Sequence, residues 1–143
     1  MNREMAVNLY NIIVQLRPEW HSDKDNDCFI KVLITGSIMD SDRMQPHIRA
    51  NQQSDRLLWR FRNPGDPLKL VITSGMWLTG VDMPLLHTLY IYKPMRGPSL
   101  LQAIARVSRV SEGKQHGLVV DCWGLKHEIE ELLGNIPFTA ESG

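Results

Sequence analysis

The chain has 143 residues, of which 43% are hydrophobic and 22% charged, and its formal net charge is zero. This length and composition are typical of one soluble globular domain, and from the sequence pattern we expect neither a membrane helix nor a secretory signal. Zero net charge argues against a module that grips nucleic acid alone, because such modules usually carry a basic excess. If the chain contacts DNA, we therefore expect it to form one wall of a larger groove.

Helix and strand patterns alternate along the chain. Apolar residues recur at helical spacing from Met5 to Leu16 and predict a first helix, which Pro18 ends. Further elements follow in chain order: a strand over 30–35, a short helix that contains Leu57, Leu58 and Phe61 and ends at Asn63-Pro64-Gly65, strands over 68–73 and 86–92, a helix over 98–110, a strand over 117–122 and a helix over 125–133. This alternation predicts an α/β fold with a mostly parallel sheet flanked by helices. Because a βα unit normally starts with a strand, the opening helix suggests that the first strand of the sheet is missing.

The predicted helix over 98–110 carries polar groups on one narrow stripe. Gln102, Arg106 and Arg109 stand at positions i, i+4 and i+7, so they share one face of a regular helix. An apolar set has the same spacing on nearly the opposite side: Leu100, Ile104 and Val107. One face can thus pack on the sheet while the other presents an amide and two guanidiniums, which are planar forks suited to phosphate oxygens. The plainer alternative is that arginines in the last helical turn complement the helix dipole and remain solvated.

A second polar segment lies between the predicted strands over 68–73 and 86–92. It contains Thr79, Gly80 and Asp82, followed by Met83 and Pro84. In open α/β sheets ligands gather at the carboxyl ends of the strands, and this segment offers a hydroxyl, a carboxylate and a glycine that lets the backbone approach a phosphate. The alternative is a mere turn, since glycine and aspartate favour turns.

Together, these two segments resemble motifs V and VI of superfamily 2 helicases and translocases, in which Gln-x-x-x-Arg-x-x-Arg closes the second RecA-like lobe. The wider sequence resembles, more specifically, the motor (restriction) subunit of type I restriction enzymes. The runs that carry this resemblance are Leu16-Arg-Pro-Glu-Trp20, the Thr35-Gly-Ser37 turn, Met76-Trp-Leu-Thr-Gly80, Leu86-His-Thr-Leu-Tyr90, Lys93-Pro-Met95, Leu101-Gln-Ala-Ile-Ala-Arg-Val-Ser-Arg-Val110 and Gly117-Leu-Val-Val-Asp121. The resemblance extends over nearly the whole chain, from about Arg3 to about Gly124.

The resemblance implies that residues 1–143 form a single RecA-like three-layer domain, the second motor lobe of a larger subunit. In that family ATP lies between two lobes, and the first lobe holds the Walker lysine and the Mg²⁺-binding acids, so ATP and Mg²⁺ would act in the full-length protein. The residues implied at the ATP site are the arginine fingers Arg106 and Arg109, with Gln102, Gly80 and Asp82. The residues implied at the DNA are Thr79, Thr35, Gly36 and Ser37.

The implied activity is that of an ATP-dependent site-specific deoxyribonuclease, in which this lobe supports DNA translocation and is inactive alone. The implied partners are double-stranded DNA, the first RecA-like lobe and nuclease domain of the same protein, and the specificity and modification subunits, with no membrane involved. The implied location is the prokaryotic cytoplasm.

Several features limit what the chain can do by itself. It has no G-x-x-x-x-G-K-[ST] loop and no acidic Walker B strand, so we expect it to hold half of an ATP site. Its cysteines form no CxxC pair and its histidines show no metal-ligand spacing, so we expect no metal site in it. Gly75, Tyr92 and Cys122 depart from the family pattern. Two other interpretations stay open: a lobe of another superfamily 2 helicase, and a non-catalytic RecA-like interaction module.

Overall fold

The computed structural model describes residues 2–24, 26–36, 39–74, 83–110 and 113–134. The chain forms two compact units, Met1–Trp77 and Leu78–Gly143. Over the described ranges, none of the helices combines the length and the apolar character that a membrane crossing requires.

The first unit is built around a pair of parallel strands. It contains helix α1 (Arg3–Leu16), a 3₁₀ turn (Pro18–Trp20), strand β1 (Ile30–Leu33), a second 3₁₀ turn (Gln45–His47), helix α2 (Asn51–Arg62) and strand β2 (Leu70–Thr73). Strand β1 pairs with β2 in parallel, from Ile30 opposite Leu70 to Leu33 opposite Thr73. All four residues of β1 are buried, whereas in β2 only Ile72 is fully buried. The more deeply buried strand is therefore β1.

Two apolar clusters hold this unit together. One joins α1 to the strands through Ala6, Val7 and Tyr10 of the helix and Ile30 and Val32 of β1. The other lies around Leu33, Leu57 and Leu68 and includes the buried thiol of Cys28. Helix α1 begins where the side-chain oxygen of Asn2 accepts a hydrogen bond from the backbone N–H of Met5 at 2.8 Å, which satisfies one of the unpaired donors of the first helical turn.

The second unit repeats the parallel pairing. It contains strand β3 (Thr88–Ile91), helix α3 (Gly97–Val107), strand β4 (Leu118–Asp121) and helix α4 (Lys126–Leu133). Strand β3 pairs with β4 in parallel, from Thr88 opposite Leu118 to Ile91 opposite Asp121. Its apolar cluster combines residues from β3, α3 and α4: Ile91, Leu100, Ile104, Leu125 and Ile129. The predicted α/β class with parallel strands is thus confirmed, and it is in keeping with a RecA-like domain.

The predicted elements are all present, but most are shorter than their sequence patterns. The strands have four residues each, because flanking residues such as Thr35 and Tyr92 have left the regular backbone pairing. Helix α3 ends at Val107 rather than at the predicted Val110. This last difference matters for the candidate site, since one of the two predicted arginine fingers lies beyond the helix.

Candidate functional site

Helix α3 has the two-faced structure that its sequence predicts. Leu100, Ile104 and Val107 are buried, while Gln102 is exposed and Arg106 is half-buried. Gln102 and Arg106 are one helical turn apart, so their side chains leave the helix on the same side. The helix therefore places an amide and a guanidinium together on the face opposite the core, a donor set that fits phosphate oxygens.

Arg109 lies beyond the end of α3, so the prediction that the helix extends through Val110 and carries this arginine is wrong. The backbone N–H of Ser108 donates to the carbonyl oxygen of Ile104 at 3.2 Å, and the hydroxyl of Ser108 donates to the same oxygen at 2.9 Å. A serine bonded back to the preceding turn competes with helix continuation, so Ser108 is the last residue attached to α3. Arg109 follows in irregular backbone and is exposed.

The end of α3 is set against the beginning of β4 by a close backbone contact. A Cβ atom on Gly117 would lie 1.9 Å from the carbonyl oxygen of Val107 and 2.5 Å from its carbonyl carbon. No side chain fits that space, because real Cβ atoms do not approach backbone atoms so closely. Gly117 therefore fixes where the last residue of α3 lies relative to β4, and with it the start of the segment that carries Arg109.

The turn after β1 holds the two described residues of the predicted DNA-contacting group, Thr35 and Gly36. Both are exposed. A Cβ atom on Gly36 would meet the carboxylate of Asp40 and the side chain of Ile48 at 2.6 Å, so the turn is tightly packed from below. Thr35 and Gly36 belong to the first unit and Gln102, Arg106 and Arg109 to the second; that these groups act on one ligand stays a prediction.

An ion pair that the sequence patterns did not predict stabilises the turn at Thr35 and Gly36. The guanidinium of Arg3 contacts both carboxylate oxygens of Asp40, at 2.7 and 3.0 Å, and also donates to the carbonyl oxygen of Thr35 at 3.0 Å. Such a two-pronged contact restrains direction as well as distance. Arg3 is 37 residues away from Asp40 along the chain, so no local pattern could have indicated the pair.

Asp121, at the end of β4, has a structural task. Its carboxylate accepts the backbone N–H groups of Trp123 and Gly124, each at 2.9 Å, and also that of Leu125. These bonds anchor the turn that leads into α4, since they satisfy donors at the start of the helix. The neighbouring departures from the family pattern, Tyr92 and Cys122, are both exposed, and Cys122 is a free thiol.

The remaining predicted site residues lie outside the described residues: Thr79, Gly80 and Asp82 of the second polar segment, and Ser37 of the turn after β1. Gly75, the third departure from the family pattern, also lies outside them. Their predicted roles stay predictions.

Comparisons with known proteins give the chain a family. Residues 23–123 match the family described as Type I restriction enzyme subunit R domain 3. The Type I restriction enzyme HindI endonuclease subunit of Haemophilus influenzae is 50% identical over 131 residues, which is 90% of this chain and 12% of the relative. The MjaIXP endonuclease subunit of Methanocaldococcus jannaschii is 40% identical over 134 residues, which is 93% of this chain and 12% of the relative.

The chain thus spans about an eighth of the length of these relatives. The family match covers more than half of the chain, and it includes β1, the turn at Thr35 and Gly36, and the whole of α3. The chain therefore belongs to the family of domain 3 of the type I restriction enzyme R subunit.

Proposed function

We propose that this chain is the second RecA-like motor lobe of an ATP-dependent double-stranded DNA translocase within a prokaryotic, cytoplasmic type I restriction endonuclease. In this proposal the lobe is inactive alone. The first RecA-like lobe and the nuclease domain come from the same protein, and the specificity and modification subunits are its partners. ATP binds between the two lobes, and the groups that hold Mg²⁺ lie in the first lobe.

The observation that carries the proposal is the exposed face of α3 in a chain of this family. Gln102 and Arg106 leave the helix on the side opposite the buried residues Leu100 and Ile104. Guanidinium forks that approach transferred phosphate oxygens stabilise the charge that develops on them during phosphoryl transfer. This face thus has the chemistry that the proposed role requires.

Each residue has a distinct part in the proposed mechanism. Arg106 is held by the helix, so it approaches the phosphate oxygens with a fixed direction, whereas Arg109 approaches from the segment beyond Ser108. Gln102, Gly80 and Asp82 contact the nucleotide or connect its site to the arginines. Thr35, Gly36, Ser37 and Thr79 contact the DNA backbone, and the Arg3–Asp40 pair holds the first two of these in place. Closing and opening of the lobes around ATP would move these contacts along the DNA.

The test is Arg109→Ala, and separately Arg106→Ala, in the full-length restriction subunit assembled with its specificity and modification subunits. We expect either change to lower DNA-stimulated ATP turnover by about 10³-fold or more, as removal of an arginine finger does. ATP hydrolysis is measured with and without duplex DNA that carries the recognition site. Neither residue is part of the apolar core, so the thermal unfolding midpoint should remain close to that of the unchanged protein.

A matched control is Arg62→Ala, which removes an exposed guanidinium from the end of α2 in the first unit. It should leave ATP turnover unchanged. Normal hydrolysis in both the Arg106 and the Arg109 variants would contradict the finger assignment and favour a non-catalytic interaction module. A third outcome would favour another superfamily 2 motor. In that case the variants lose ATP hydrolysis, but hydrolysis by the unchanged protein does not require the specificity subunit.

A further inference from the structure

A shallow pocket lies at the amino ends of β3 and β4, outside the residues of the proposed ATP and DNA sites. The parallel register places His87, just before β3, beside the segment that precedes β4, and the N–H of Leu118 donates to the carbonyl oxygen of His87 at 2.8 Å. The pocket has a volume of about 360 Å³ and is lined by His87, Val110, Gly113, Lys114, Gln115 and His116. The pocket is therefore formed by the residue that precedes β3 and by the segment that follows α3.

Among the described residues, the lining includes several hydrogen-bond donors and no carboxylate. His87 and His116 face each other with ring centroids 6.3 Å apart, and Gln115 contributes an amide. The described lining residues thus carry an ammonium, two imidazoles and an amide, a set of groups that favours an anion over a cation.

Lys114 is the unusual member of this group. It is only 7% exposed, and its ammonium donates one hydrogen bond, to the carbonyl oxygen of Pro84 at a long 3.4 Å. No carboxylate among the described residues lies within ion-pair distance of it. Burial lowers the pKa of the Lys114 ammonium, because a desolvated charge is costly unless an opposite charge accompanies it. A bound anion would supply that charge.

We propose that this pocket binds a phosphate group, with Lys114 as the charged anchor and His87, Gln115 and His116 as the surrounding donors. The pocket is open to solvent and exceeds the size of one phosphate ion, so it can receive a phosphate carried by a larger molecule. The phosphate of a nucleotide and that of a DNA backbone present the same oxygens to these donors. The inference does not depend on the roles proposed for Arg106 and Arg109.

The experiment follows the ring signals of His87 and His116 by NMR in the 143-residue chain while inorganic phosphate is added at constant ionic strength. We expect both rings to shift together and to saturate, whereas chloride produces no such change. Lys114→Met keeps the length of the side chain and removes its charge, so we expect phosphate affinity to fall by about tenfold or more, as expected when a charge-assisted hydrogen bond is lost.

The matched control is Lys126→Met, which removes an exposed ammonium (71% side-chain exposure) from α4 in the same unit. It should leave the phosphate titration unchanged. His116→Gln provides a second test at an exposed position, which remains informative if Lys114→Met does not fold: it should weaken the shift of the His87 ring on phosphate addition.

Two competition arms identify the source of the phosphate. Displacement of inorganic phosphate by ATP assigns the pocket to a nucleotide, and displacement by a short DNA duplex assigns it to the DNA backbone; either result supports the proposal. Shifts that do not saturate, or that are equal in the Lys114→Met chain, would overturn it. Binding of inorganic phosphate that neither ATP nor duplex DNA displaces would show an adventitious anion site only, and would also overturn it.

Discussion

Arg60 in the first unit and Lys114 in the second are two of the buried cations among the described residues, and they show opposite ways of holding a charge inside a protein. In the first unit Arg60 is 5% exposed, and its guanidinium contacts both carboxylate oxygens of Asp66, at 3.0 and 2.7 Å. In the second unit Lys114 is almost equally buried, at 7% exposed, but within the described ranges its ammonium contacts only the carbonyl oxygen of Pro84. The hydrogen bonds that Arg60 donates to Asp66 raise the pKa of Arg60, while burial lowers the pKa of Lys114.

The difference shows which buried charge is neutralised by contacts within the fold itself. Arg60 also donates to the backbone carbonyl of Asn26 and to the thiol of Cys28, and Asp66 accepts the backbone N–H of Leu68. This closed network ties α2 to the entrances of β1 and β2 within the chain itself. Lys114 has no such network among the described residues, so its burial is better explained by a partner that comes from outside.

The largest effect should come from breaking the closed network. Asp66→Ala leaves the guanidinium of Arg60 buried without its carboxylate, and we expect the free energy of unfolding to fall by about 3 kcal/mol, the lower end for breaking a buried ion pair. Urea unfolding followed by circular dichroism measures it. Asp55→Ala, on the exposed side of α2, should change stability by less than about 0.5 kcal/mol. A loss below about 1 kcal/mol for Asp66→Ala would remove the structural role assigned to the pair.

A smaller effect, of opposite sign, should come from Lys114→Met. Replacing a buried charge that has no carboxylate partner by an apolar side chain of similar length should leave stability unchanged or raise it by about 1 kcal/mol. Urea unfolding in phosphate-free buffer is the measurement, and Arg60→Met, which strands the carboxylate of Asp66, should be destabilising under the same conditions. A clear loss of stability in Lys114→Met would mean that its ammonium is satisfied by the chain alone.

The smallest effect is the pH dependence of stability. The Arg60–Asp66 pair should contribute to it at acid pH, and Lys114 at alkaline pH. The Arg60 hydrogen bond lowers the pKa of Asp66, so its contribution is complete above the ordinary carboxyl pKa and is lost as the pH falls through the lowered value. Burial lowers the pKa of Lys114 below 10.5, so the unfolded chain binds more protons at alkaline pH and stability rises toward that value. Unfolding midpoints measured against pH should therefore differ between the unchanged chain and Asp66→Ala in the acid window, and between the unchanged chain and Lys114→Met in the alkaline window.

Much of the fold could be predicted from the sequence because its local patterns and its packing agree. The helical spacing from Met5 to Leu16 and the proline at position 18 predicted α1, and the buried set of Leu100, Ile104 and Val107 identified the packed face of α3. Short apolar runs between polar segments predicted the four strands and their parallel class. In these cases each residue's own preference already points to the final structure.

What could not be predicted depends on contacts between distant residues. The helix pattern continued through Arg109 and Val110, yet α3 ends at Val107, where Ser108 bonds back to the preceding turn and Gly117 meets the Val107 carbonyl. The Arg3–Asp40 pair and the pairing of His87 with His116 likewise join residues about 30 or more positions apart. Spacing rules describe neighbours along one element, so they contain no information on such pairs.

The contact between Gly117 and the carbonyl oxygen of Val107 has a mechanical consequence. This is a contact between two backbone segments, and neither the carbonyl of Val107 nor the backbone of Gly117 can rotate away as a long side chain could. Helix α3 is thereby prevented from travelling lengthwise toward β4. An alanine at position 117 would therefore force the end of α3 and the start of β4 apart without altering a single charged group.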